Sequence, residues 1–188
     1  MNNMKNPFIQ ISGVCSLLAP LVLIVADLLL IVGEMMFEWT IGLWLAFVLF
    51  VPAILGLSVV LFNAGSRRLA LIGGASAFFG AMAGAGMQVL FRVYAVLSEH
   101  GAEQAIELLR GTFKLIASTQ MIGLFFPIGL ILLAVGIYQS RIFNPTISFL
   151  PIAGAIFFPV GRIGGSTTAV SAAVFCCLRL SLLSAGTF

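Results

Sequence analysis

The sequence predicts an all-α integral membrane protein, a six-helix transmembrane bundle forming a single domain over residues 1–188, with both termini in the cytoplasm. Three observations predict it. Hydrophobic residues make up 61% of the chain and charged residues 8%, with a mean hydropathy of +1.20, whereas soluble domains carry about a quarter charged residues. Long apolar runs are separated only by short polar clusters, each about one membrane thickness from the next. The charges in those clusters also segregate by sign between alternate connections, as the positive-inside rule requires.

The first span is placed at 8–33. It is too long for a secretory leader and lacks a small-residue cleavage site, so it reads as a retained helix. The second, 39–63, opens on Trp39 with Trp44 about one turn deeper, a pattern suited to an interfacial aromatic belt. The third, 69–97, follows the pair Arg67 and Arg68, and the fourth is placed at 115–138. The fifth and sixth, 142–162 and 166–187, are joined by a glycine-rich turn. Connections are short except for 98–114, where Glu103, Glu107, Arg110 and Lys114 alternate with an apolar stripe of Ile106, Leu109 and Phe113. That pattern predicts a segment lying on the membrane surface. His100, beside Glu99, reads as an ordinary loop histidine.

Lys5, Arg67, Arg68 and Arg141 fall on one side, which the positive-inside rule makes cytoplasmic. Glu34, Glu38, Glu99, Glu103 and Glu107 fall on the other, with Arg110, Lys114 and Arg162 as its bases. The chain is expected to be a multi-pass protein of a bacterial inner or plasma membrane. Its net charge of +3 is too small and scattered for nucleic acid, so the bilayer is the expected partner.

Asp27 is the only acid inside an apolar span. A carboxylate at that depth is costly without a counter-charge or a proton. It lies six residues before Gly33, and Arg92 lies five before Leu97, so both sit roughly 8 to 9 Å below the outer boundary at 1.5 Å per residue. Arg162 ends the fifth span on that side, Gln120 adds polar atoms at comparable depth, and Gln88 of the third span is expected to face a neighbouring helix rather than lipid. Asp27, Gln88, Arg92, Gln120 and Arg162 therefore form the candidate cluster, read either as an outward-opening ligand site or as an ion pair that fixes packing.

The third span carries two rows of small residues, Gly73, Ala77, Ala81 and Ala85, and Ser76, Gly80, Gly84 and Gln88. Small residues every four positions let helix backbones approach closely. Gly73, Ala77, Gly80 and Gly84 are accordingly expected to pack helices, within the bundle or in a homo-oligomer. Pro20, Pro52, Pro127, Pro151 and Pro159 each remove a helical hydrogen bond and tend to kink their spans. Between the fifth and sixth spans, Gly164, Gly165, Ser166 and Thr167 combine free backbone N–H groups with the nearby Arg162. This is a candidate anion site, although a tight hairpin needs the same glycines. Arg179, in the sixth span, reads as a snorkelling side chain.

Enzymatic chemistry finds little support. The chain has one histidine, which excludes a bis-histidine haem within one chain and a zincin-type metal site. Cys15, Cys176 and Cys177 lie in apolar spans without metal-ligand spacing. Lys5 and Lys114 stand at span ends, and no G-x-S-x-G elbow or paired aspartates occur. No catalytic residue, cofactor or metal is expected. The two readings are a transporter or ligand-binding membrane protein for a small solute or lipid, and a non-catalytic accessory subunit of a larger membrane complex.

Overall fold

The structure, a computed structural model, describes residues 7–32, 36–111 and 121–141. Among them every regular element is a helix: α1 (Pro7–Val32), α2 (Met36–Asn63), α3 (Arg67–Glu99), α4 (Glu103–Gly111) and α5 (Phe125–Ser140). Four stretches are long and apolar enough to cross a membrane: Pro7–Leu29, Trp39–Asn63, Arg67–Glu99 and Met121–Ser140. The fold is that of a helical membrane protein. The expected spans at 142–162 and 166–187 lie outside the described residues.

Large apolar side chains cover the outside as well as the inside. Ile11, Val25, Leu71, Ile72, Phe79, Met82 and Val89 are all more than half exposed. In water such a surface would aggregate, whereas in lipid it is the normal outer face of a helix.

Two of the chain reversals are built by glycine. Gly65 has φ +96 and Gly101 has φ +65, left-handed conformations that a side chain would strain. At the first, the Ser66 N–H donates to Leu61 O at 3.1 Å and the Gly65 N–H to Phe62 O at 3.3 Å. At the second, Ala102 N–H donates to Leu97 O at 3.0 Å and Gly101 N–H to Ser98 O at 3.1 Å. Both are Schellman motifs, which satisfy the last carbonyls of α2 and α3 and stop those helices. The Ser66 hydroxyl then donates to Gly136 O at 3.4 Å, tying the α2–α3 turn to the end of α5.

Neighbouring helices run antiparallel, and small residues set their register. On α1 and α2, Ser12 meets Gly56 and Ala26 meets Gly42. On α2 and α3, Ser58 meets Gly74 and Phe47 meets Gly84. On α3 and α5, Gly80 meets Phe126 and Ala77 meets Gly129. The order across the bundle is therefore α1, α2, α3, α5, with α1 and α3 both packed on α2. Arg67, Arg68 and Arg141 lie together at one end, and Glu99, Glu103 and Glu107 at the other.

The main core lies between α2, α3 and α5, around Phe47, Ile54, Leu61, Ala77, Phe126 and Leu133. The Phe126 ring meets Phe47 edge-on at 5.8 Å and Phe50 at 5.3 Å. A smaller cluster, Leu23, Ala26, Leu43 and Ala46, joins α1 to α2.

The small residues of α3 divide between two neighbours. Gly73 and Gly80 face α5, while Gly74 and Gly84 face α2. Ser76 lines an outer groove instead. The row from Ser76 through Gly80 and Gly84 to Gln88 is thus not one packing face. Each step of four residues turns about 40° around the helix, so the row wraps about 120° from first to last.

α1 and α2 continue through Pro20 and Pro52. Pro127 acts differently, since it occupies the first turn of α5 and cannot donate to Gly123 O. The Leu124 N–H donates to Met121 O at 3.2 Å in a tighter turn, and the helix restarts at Phe125.

A Cβ on Gly80 would strike the Phe126 backbone, whereas one on Gly86 meets nothing within 4 Å. Gly80→Ala is expected to destabilise the fold by about 1–3 kcal/mol, the range for overpacked contacts. Gly86→Ala should be neutral or stabilising by less than about 1 kcal/mol. Unfolding midpoints of the two purified variants check the contrast.

Candidate functional site

The candidate site begins with Asp27, which α1 carries on its buried side. Ala26 packs on Gly42, and Leu23 and Ala26 meet Leu43 and Ala46. Asp27, one residue beyond Ala26, is only 1% exposed. Extending the Ala26–Gly42 register by one residue brings Asp27 level with Ile41 of α2.

On α3 the seam facing the core runs through Ala70, Gly74, Ala77, Ala81 and Gly84 to Gln88, alternating steps of four and three residues. That spacing keeps one face turned to a neighbouring helix. From the Phe47–Gly84 contact, four residues onward bring Gln88 level with Leu43, and eight bring Arg92 level with Trp39. Asp27 therefore lies between the levels of Gln88 and Arg92, about 3 Å along the axis from each.

Thr40 belongs to the same layer and is the residue that sequence reasoning missed. It is 6% exposed and precedes Phe47, Ile54 and Leu61 at intervals of seven on one stripe of α2. That heptad spacing was the signal available in the sequence. Within this span of depth lie a carboxylate on α1, a hydroxyl on α2, and an amide and the half-buried Arg92 on α3, with α1 and α3 each packed on α2 rather than on each other.

Asp27, Thr40 and Arg92 are each engaged in hydrogen-bond, ring or electrostatic contact. Gln88 is 8% exposed, and its Oε1 is buried with no hydrogen-bond partner. Leaving a buried acceptor unfilled costs about 1–3 kcal/mol. Buried Ser12 and half-buried Ser58 avoid this cost within their own helices: Ser12 Oγ donates to Ile9 O at 2.9 Å and Ser58 Oγ to Ile54 O at 2.8 Å.

Gln120, Arg162, Gly164, Gly165, Ser166 and Thr167 lie outside the described residues. Among the described residues, no group of three His, Cys, Asp or Glu side chains is placed to hold a metal ion. An open groove of about 570 Å³ runs along Leu71, Ile72, Ala75, Ser76, Phe79, Ile122 and Phe125. It lies away from the polar layer and has a single hydroxyl, a lining suited to an acyl chain.

α4 sits at the acidic end, with Ala105, Ile106 and Leu109 half-buried and Glu103, Gln104 and Glu107 exposed. Leu108 is 77% exposed. His100 caps α3 beside it, its Nδ1–H donating to Val96 O at 2.8 Å. Phe113, the third residue of the expected surface stripe, lies outside the described residues.

Replacing Gln88 by Leu removes the unfilled acceptor while keeping most of its volume. The Gln88→Leu variant is expected to be more stable than the wild type by about 1 kcal/mol, the cost of desolvating the amide oxygen. Denaturant titration in detergent micelles measures the difference. Comparison with protein-family models, with curated proteins and with solved structures finds no match for this chain.

Proposed function

We propose that this protein is a transporter or ligand-binding membrane protein whose polar intramembrane site opens toward the acidic end of the bundle and takes a small solute or lipid. The observation that carries the reading is the placement of buried Asp27, Thr40 and Gln88 and half-buried Arg92 at neighbouring depths inside otherwise apolar helices. A charged or amide side chain is expensive in hydrocarbon, and within membrane spans such groups commonly mark ligand or ion paths. An ion pair alone would account for a carboxylate and a guanidinium. It gives no reason for an amide oxygen that lacks a partner.

The reading extends to six spans, with the Arg67, Arg68 and Arg141 end cytoplasmic and the Glu99, Glu103 and Glu107 end outside, in a bacterial inner or plasma membrane. What supports this orientation is the segregation of basic and acidic residues between the two ends. Arg162 and Gln120 are the further residues proposed for this cluster, and Gly164, Gly165, Ser166 and Thr167 are proposed separately as an anion site.

The site is tested with Asp27→Asn and Arg92→Gln, comparing folded yield in detergent with thermal stabilisation by candidate solutes. Both variants are expected to fold in reduced but measurable yield and to lose a solute-induced shift that the wild type shows. Loss of yield with no solute ever shifting the wild type would leave only a structural ion pair. A stoichiometric partner copurifying from native membranes would instead favour an accessory subunit.

Orientation is tested by labelling after replacement of Cys15, Cys176 and Cys177. A membrane-impermeant maleimide should reach Glu103→Cys in intact cells and Arg68→Cys only after permeabilisation. The reverse pattern inverts the topology.

A further inference from the structure

The charges of the polar layer are ordered by depth, and the order selects a ligand class. Counting from the acidic end, Arg92 comes first, level with Trp39. Asp27 follows at the level of Ile41, and Gln88 at the level of Leu43. The cation thus stands outermost and two oxygen acceptors stand deeper, with about 6 Å along α3 between Arg92 and Gln88. Arg92 is half-buried, while Asp27 and Gln88 are more than nine-tenths buried.

A solute entering from that end meets a guanidinium that favours an anion and then an amide oxygen that lacks a donor. A simple anion satisfies the first group and leaves Gln88 Oε1 unfilled. A simple cation satisfies the amide oxygen but offers the guanidinium no anion to hold. A quaternary ammonium carries the right charge but has no N–H to give.

We propose that the site binds a primary ammonium tethered to an anionic group, ammonium end first, with Gln88 Oε1 accepting an ammonium N–H and Arg92 holding the anion. This rests on the ligand-binding reading above. Asp27, between the two levels, balances the charge of the layer. The same chemistry occurs in free short amino acids and in the headgroup of phosphatidylethanolamine, and the test separates these two sources.

Full-length protein is placed in nanodiscs of phosphatidylcholine alone, and its unfolding midpoint is followed with glycine, β-alanine, γ-aminobutyrate, betaine, acetate or methylammonium. A parallel sample contains phosphatidylethanolamine and no solute. At least one primary-amine zwitterion, or the phosphatidylethanolamine disc, is expected to raise the midpoint, while betaine, acetate and methylammonium leave it unchanged. A response to the solutes assigns the free amino acid, and a response to the disc alone assigns the lipid.

Gln88→Leu should fold at least as well as the wild type yet bind the responding probe tenfold or more weakly, and Arg92→Gln should weaken it similarly. Glu103→Gln, outside the layer, should bind as the wild type does. Equal stabilisation by betaine, acetate or methylammonium, lost in Gln88→Leu, overturns the zwitterion assignment while sparing the site. No shift with any probe overturns the assignment, and if the Asp27→Asn and Arg92→Gln variants also lose yield, the site reading falls with it.

Discussion

Backbone-to-backbone approach along α3 is the constraint on which the bundle depends. In lipid, burying one more apolar side chain against a neighbour gains little, because hydrocarbon already surrounds it. What remains is close packing, and α3 achieves it where Gly80 lies on the Phe126 backbone and Gly129 of α5 lies on Ala77. These contacts hold α5 so near that Phe126 reaches both Phe47 and Phe50 of α2. One pair of glycines therefore assembles three helices around a shared aromatic cluster.

The polar layer depends on this packing. Gln88 is the continuation of the same small-residue seam that begins at Ala70, so the close approach that lets Gly84 receive the Phe47 ring also draws the amide out of lipid. Asp27 reaches the same depth through a separate hairpin, set by Gly42 and Gly56 against Ala26 and Ser12. Two glycine-based registers, one on each side of α2, bring these side chains within about 3 Å of each other along the axis.

Much of this was legible in the sequence, for reasons that differ by residue. Asp27 stood out because hydropathy isolates a charge in an apolar run, and its depth followed from counting residues along a helix of fixed rise. Helix ends were less legible. The second span, Trp39–Asn63, is as expected, although its helix begins one turn earlier at Met36, and α3 runs from Arg67 to Glu99 rather than 69–97 because helical hydrogen bonding continues past the apolar residues. The division of α3 between two neighbours was hidden because rows of fixed spacing rotate around the helix, and only the position of other helices shows where each row lands. Gly74 and Gly129 were missed for the same reason, since each is one partner of a contact whose other half lies on a different helix. The helix registers set Asp27 about 3 Å along the axis from both Gln88 and Arg92, and in the sequence Thr40 of α2 was marked only by its heptad spacing ahead of Phe47, Ile54 and Leu61.

The Gly65 turn bears on how the chain enters a membrane. Among the described residues, α3 is the longest of the apolar helices and the least apolar, diluted by its glycines and alanines. Alone it is the weakest candidate for partition into the bilayer. Only Ala64, Gly65 and Ser66 separate it from the strongly apolar α2, and the reversal is closed by hydrogen bonds of its own. Such a hairpin partitions as a unit, with α2 drawing α3 in behind it and Arg67 and Arg68 held back at the turn. The tight turn thereby lets evolution keep the third helix small and polar enough to carry a seam and an amide without losing its place in the bilayer.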